Sequence, residues 1–132
     1  MKRTKTATVL LLDDVREIRE PFEVLLASAG YKVKSPRNEE EAIDAVRRMP
    51  PDLIIVRLSQ SVFKSAAAEH AVAAGHRIRA LAELADRVPI VVINGGSTED
   101  GHVTEMDGNV HLIAPEAFEE LEQLLGRLVT AA

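Results

Sequence analysis

Short runs of leucine and β-branched residues alternate along this chain with segments whose apolar positions recur at three- and four-residue steps. That alternation predicts a parallel sheet covered by helices on both faces. The first apolar run is Ala7 to Leu12. A helix from about Val15 to Ala29 follows, with Val15, Ile18, Phe22, Leu25 and Ala29 at helical spacing, and Gly30 supplies its left-handed stop. A second strand, Lys32 to Ser35, leads to Pro36. Asn38, with Glu41 three residues on, forms a capping box for a second helix, whose buried stripe is Ala42, Ile43 and Val46 and which ends at Pro50-Pro51. Leu53 to Leu58 is apolar except for one residue and reads as a strand buried on both faces.

The second half is less regular. An alanine-rich stretch from Ser65 to Arg87 carries Ala68, Val72, Ile78, Leu81 and Leu84 at helical spacing. Gly75 interrupts it, which leaves one kinked helix or two shorter ones. Pro89 precedes a fourth strand, Ile90 to Asn94. From Gly95 to Gly108 the pattern fades into Gly, Ser, Thr, Asp and Glu, which reads as a loop or a frayed helix near Thr98 to Met106. The alternative makes Asp107-Gly108 a tight turn between two strand-like flanks. A fifth strand, Val110 to Ile113, comes next. Pro115 at a first helical position opens the last helix, with Phe118, Leu121, Leu124, Leu125 and Leu128 on one face. The sum is a doubly wound α/β domain of five parallel strands, one domain over 1–132 with its core at about 8–129.

Composition narrows the function classes. The net charge of −5 argues against direct nucleic-acid binding, which needs a basic face. Lys2, Arg3 and Lys5 read as a solvated terminus. Cysteine is absent, which removes disulfides, thiolate catalysis and zinc–sulfur sites. The longest apolar runs are strand-sized and no signal-type stretch opens the chain, so the expectation is a soluble, cytoplasmic protein without membrane contact. One Tyr and three Phe are too few for a stacking platform along single-stranded nucleic acid.

In a doubly wound sheet the functional crevice lies at the carboxyl ends of the strands. There stand Asp13 and Asp14 after the first strand, Arg57 after the third, Asn94 after the fourth and Ala114 after the fifth. Leu11-Leu12-Asp13-Asp14-Val15-Arg16-Glu17-Ile18-Arg19, Pro51-Asp52-Leu53-Ile54-Ile55-Val56, Val88-Pro89-Ile90-Val91-Val92 and Ala114-Pro115 together give the chain a close resemblance to the receiver domain of two-component response regulators. The similarity spans about Thr8 to Val129. It implies a flavodoxin-like sheet of strand order 2-1-3-4-5, a phosphorelay role and a protein partner. Receivers use an acidic pair for magnesium, an aspartate as phosphoryl acceptor, a Ser or Thr that senses the phosphoryl group and a Lys before Pro. Carried over residue by residue, Asp13, Asp14 and Pro115 remain, whereas the acceptor position is Arg57, the hydroxyl position Asn94 and the lysine position Ala114.

Chemistry gives each departure a consequence. A guanidinium is neither nucleophilic nor titratable, so Arg57 accepts no phosphoryl group. It also removes an anionic ligand from the cation site and adds a like charge there, so no magnesium or other cofactor is expected. At about 4 Å in a partly shielded pocket, a guanidinium and a carboxylate attract by roughly 4 kcal/mol before desolvation. Arg57 is therefore expected to fold onto Asp13 or Asp14 in place of metal and lysine together. The rival is a surviving metal site at Asp13 and Asp14.

The expected function is a pseudo-receiver that acts by protein–protein contact and is not an enzyme. With the fourth helix weak or remodelled, its partner face is expected to be either remodelled or shifted to the first and fifth helices. Homodimers are common among pseudo-receivers, and this sequence leaves that open. No output segment follows Leu128, so a stand-alone adaptor and an excised domain are both compatible. The alternative is a small-molecule or anion-binding domain built on Arg57 and the Asn94-Gly95-Gly96 loop, whose backbone N–H groups are able to form a nest. Asp52 sits at the wrong edge of the sheet for a substitute acceptor, and Ser59 and Ser61 read as turn residues. His70, His76, His102 and His111 show no metal-ligand spacing.

Overall fold

The computed structural model describes residues 7–13, 15–57, 67–84, 88–93, 104–106, 108–113 and 118–131. The elements in chain order are β1 (Thr8–Asp13), α1 (Arg16–Ser28), β2 (Lys32–Lys34), α2 (Glu39–Arg48), β3 (Leu53–Arg57), α3 (Ala67–Leu81), β4 (Ile90–Ile93), β5 (Thr104–Met106), β6 (Val110–Ile113) and α4 (Phe118–Ala131). One sheet runs β2-β1-β3-β4-β6-β5. Its first five members are parallel and give the order expected from the sequence, with β6 in the fifth place.

The sixth strand corrects the expectation for 104–106, while 95–103 lie outside the described residues. Thr104–Met106 is neither loop nor helix; it pairs antiparallel with β6, Glu105 opposite His111. The turn alternative was the right one, although the left-handed residues are Gly108 (φ 81°) and Asn109 (φ 61°). Gly and Asn are the residues that tolerate that region, and Asp107 lies outside the described residues. The physical reason for the miss is length: three residues are too few for an alternating pattern to register.

Side-chain alternation along the strands builds two cores. Val9, Leu11, Leu53, Ile55, Val91, Ile93 and Ile113 pack with Phe22 and Leu26 of α1 and Leu121, Leu124 and Leu125 of α4. Leu10, Leu12, Ile54, Val56, Ile90, Val92, Val110 and Leu112 pack with α2 and α3 on the other face. The phase expected for α1 needs correction. Phe22 and Leu26 are its buried residues, whereas Ile18 is 41% and Leu25 47% exposed. Leucines at both 25 and 26 let the helical period be laid one residue out of register.

Helix α3 also differs from expectation. It is continuous through Gly75 and its last turn closes at Leu81 rather than near Arg87. Gly75 is buried against the sheet, where an added Cβ would lie 2.7 Å from Ile90 Cγ2. The glycine therefore marks a close approach of helix to strand. At α2 the capping box is present: Asn38 Oδ1 accepts the Glu41 N–H at 2.8 Å, and Glu41 Oε1 accepts the Arg37 N–H at 3.0 Å.

Candidate functional site

The carboxyl end of β1 lies beside that of β3, with Asp13 opposite Arg57 in the parallel register. The apolar runs before both residues are buried on two faces, so each polar side chain is the first group free of the core. Asp13 has no exposed surface, yet its groups are engaged. Oδ1 accepts the Val15 N–H at 2.9 Å, an Asx-type turn that swings the chain from β1 into α1. Oδ2 faces Arg57 Nη1 at 3.5 Å, and the Arg57 side chain keeps 17% of its surface. A second guanidinium arrives from α1, where Arg19 Nη1 donates to the Asp13 carbonyl at 3.3 Å while its Nε faces Glu23 Oε2 at 3.7 Å.

Arg19 was not singled out by sequence reasoning. Its distance of six residues from Asp13 predicts a contact only once the turn into α1 is known. Asp14, Asn94, Ala114 and Pro115, along with Ser59, Ser61, Gly95 and Gly96, lie outside the described residues. Asp52 is at the opposite edge, where Oδ2 accepts the Thr8 N–H at 2.8 Å and its own N–H donates to the Thr8 carbonyl. It fixes the start of β1 and is remote from the crevice.

The site as described does not fit a divalent cation. A magnesium ion takes several oxygens, anionic ones among them, and both oxygens of Asp13 already face protein donors, one of them a cation. Among the described residues no three His, Cys, Asp or Glu side chains are grouped to hold a metal. Of the histidines, His70 and His76 are on α3 and His111 on β6, well apart in the chain; His102 lies outside the described residues.

A five-stranded parallel sheet of this order, with an aspartate at the end of β1 facing the end of β3, defines a receiver-type α/β domain. The chain has the fold of the receiver domains of response regulators and resembles response regulators in sequence. It is 25% identical over 120 residues to the response regulator MprA of Mycobacterium sp. (strain KMS), and equally to that of Mycolicibacterium vanbaalenii. The match covers 91% of this chain and 48% of the relative, so the chain spans about half the length of the curated relatives it matches. No protein-family model matches it.

Solved structures agree on the fold. The receiver domain of a sensor histidine kinase from Pseudomonas aeruginosa, solved with magnesium in its active-site cleft, superposes with a TM-score of 0.66 at 22% identity, covering 96% of this chain and 99% of the other. The response regulator TrrA of Thermotoga maritima, in complex with magnesium and BeF, gives 0.66 at 19% identity over 93% of this chain and 99% of the other. CheY4 of Vibrio cholerae gives 0.63 at 22% identity over 94% and 99%. Among the described residues no helix is long and apolar enough to cross a membrane.

Proposed function

We propose that this chain is a pseudo-receiver: a cytosolic, non-enzymatic signalling domain that binds a protein partner and is not switched by phosphoryl transfer. The observation that carries the reading is the Arg57 guanidinium beside the fully buried Asp13 carboxylate. A receiver's chemistry runs on a carboxylate nucleophile and a metal-bound phosphoryl group. Arg57 offers no nucleophile, and its charge occupies the place in the crevice that a metal cation would otherwise neutralise. The crevice is thus held in one charge state, with no ligand needed to balance Asp13.

Two measurements test this. Incubation with acetyl phosphate and magnesium, followed by intact mass, is expected to show no added phosphoryl group; a stoichiometric acyl phosphate on the wild-type chain overturns the reading. Thermal unfolding is expected to be unchanged by millimolar magnesium, because a ligand that binds only the folded state at a hundred times its Kd would stabilise by about 2.7 kcal/mol. The same thermal assay with phosphates, nucleotides and carboxylates separates this reading from an anion-binding domain on Arg57, which alone predicts a shift. Arg57→Asp is expected to recover little or no phosphorylation, since Asn94 and Ala114 still lack the hydroxyl and amine of a working receiver.

A further inference from the structure

The β5–β6 hairpin is held at its turn by two imidazoles, one from each side of the chain's path, and each stands near a guanidinium. On the α3 side, Arg79 is only 4% exposed. Its Nη1 donates to the Val88 carbonyl at 3.0 Å and its Nη2 to His76 Nδ1 at 3.4 Å. Both groups press on the turn, since a Cβ at Gly108 would lie 3.3 Å from Arg79 Nη2 and from His76 Cε1. A guanidinium only donates hydrogen bonds, so this contact requires Nδ1 of His76 to be unprotonated.

His111 closes the other side. It is 6% exposed, in the middle of β6, directly opposite Glu105 of β5 and Val91 of β4. Its Nε2 donates to Asn109 Oδ1 at 2.9 Å, while the Asn109 carbonyl accepts the Ile90 N–H at 3.0 Å. A left-handed Asn in the turn is thereby tied to β4 by its backbone and to β6 by its side chain.

We infer that His111 is a proton-sensitive clasp, which holds β5 on the sheet while its ring is neutral and releases it on acidification. The charged and titratable groups that face the His111 ring, among the described residues, are Glu105 on β5 and Arg127 on α4. Protonating His111 puts a charge into a site with little water. Burial holds the His111 pKa below its usual value; Glu105 opposes this in part and Arg127 adds to it. A histidine that is harder to protonate when folded stabilises fully above its ordinary value of about 6.5 and progressively less as pH falls below it. Local opening restores water to His111, so acid favours the open hairpin over the closed one. This inference does not depend on how Arg57 is used.

Amide hydrogen exchange on the intact chain, corrected for intrinsic rates, tests the clasp. Between about pH 7.5 and 5.5 the amides of Glu105 and Val110–Ile113 are expected to lose about tenfold in protection relative to Leu10–Leu12 and Ile54–Val56, the loss that one pH unit of unmatched titration gives. The variant His111→Gln keeps a donor but no titratable ring, and is expected to lose that pH dependence. In the wild type the His111 imidazole resonances must titrate below the pH at which the loss begins. Protection that is flat with pH, that falls equally in β1 and β3, or that still falls in the variant overturns the inference.

Discussion

Asp13 is a carboxylate with no exposed surface, and Arg57 is the positive charge that faces it. Removing one member of a buried pair leaves the other charge uncompensated, which typically costs about 3–5 kcal/mol. Arg57→Met is therefore expected to destabilise the chain by about 3 kcal/mol in urea at neutral pH, the lower end because Arg57 keeps some contact with water. Asp13→Asn/Arg57→Met, which leaves no charge behind, is expected to lose clearly less than the two single changes summed. A single-variant loss below about 1 kcal/mol would show that the pair is worth no more than a surface contact. Arg57 was legible in the sequence because a cation ending an otherwise apolar run breaks the pattern. Arg19, whose contact with Asp13 depends on the turn between them, left no such mark.

Two helices end alike, with different residues. After α1, the Gly30 N–H donates to the Ala27 carbonyl and the Tyr31 N–H to the Leu26 carbonyl, with Gly30 at φ 100°. After α3, the Glu83 N–H donates to Ala80 and the Leu84 N–H to Arg79, with Glu83 at φ 58°. Both are Schellman motifs, and only the first uses the residue that bears a left-handed φ without strain. Glu83→Gly is expected to stabilise by up to about 1 kcal/mol, read as a rise in the urea midpoint. Gly75→Ala runs against its helix propensity. Its added methyl meets Ile90, so destabilisation of about 1–3 kcal/mol is expected, with part of it relieved when Ile90→Ala is combined. Gly30 was readable as a stop because glycine is what that turn prefers. Glu83 was not, because its conformation is imposed by packing. Gly75 carried a signal whose sense, breaker or close approach, only the sheet decides.

Across the whole molecule, the alternation of apolar runs and helical segments was enough to indicate the five parallel strands and both layers, while their order came from the receiver resemblance. The edge strand and its turn entered only as the lesser alternative, because β5 is held by pairing with β6 rather than by any pattern of its own. On the face built by α2 and α3, Arg77 takes Glu39 in a two-pronged pair. The hydrogen bonds from Arg77 hold the Glu39 carboxyl below its ordinary range, with burial acting in the opposite sense. A carboxylate of lowered pKa stabilises above its unfolded value and loses that contribution as pH falls. The gap in urea midpoint between wild type and Glu39→Gln is therefore expected to be open at pH 7 and to close progressively below about pH 4.5.

The pairing of Asp13 with Arg57 also bears on how β1 finds its place. A slip of β1 by one residue along β3 turns every leucine to the wrong layer, and the hydrophobic effect forbids it. A slip by two keeps each leucine in its own layer, so greasiness alone discriminates poorly. That slip would carry the aspartate past its arginine and strand a charge in oil. The two facing residues thus act as a vernier mark, telling correct alignment from the nearest plausible mistake.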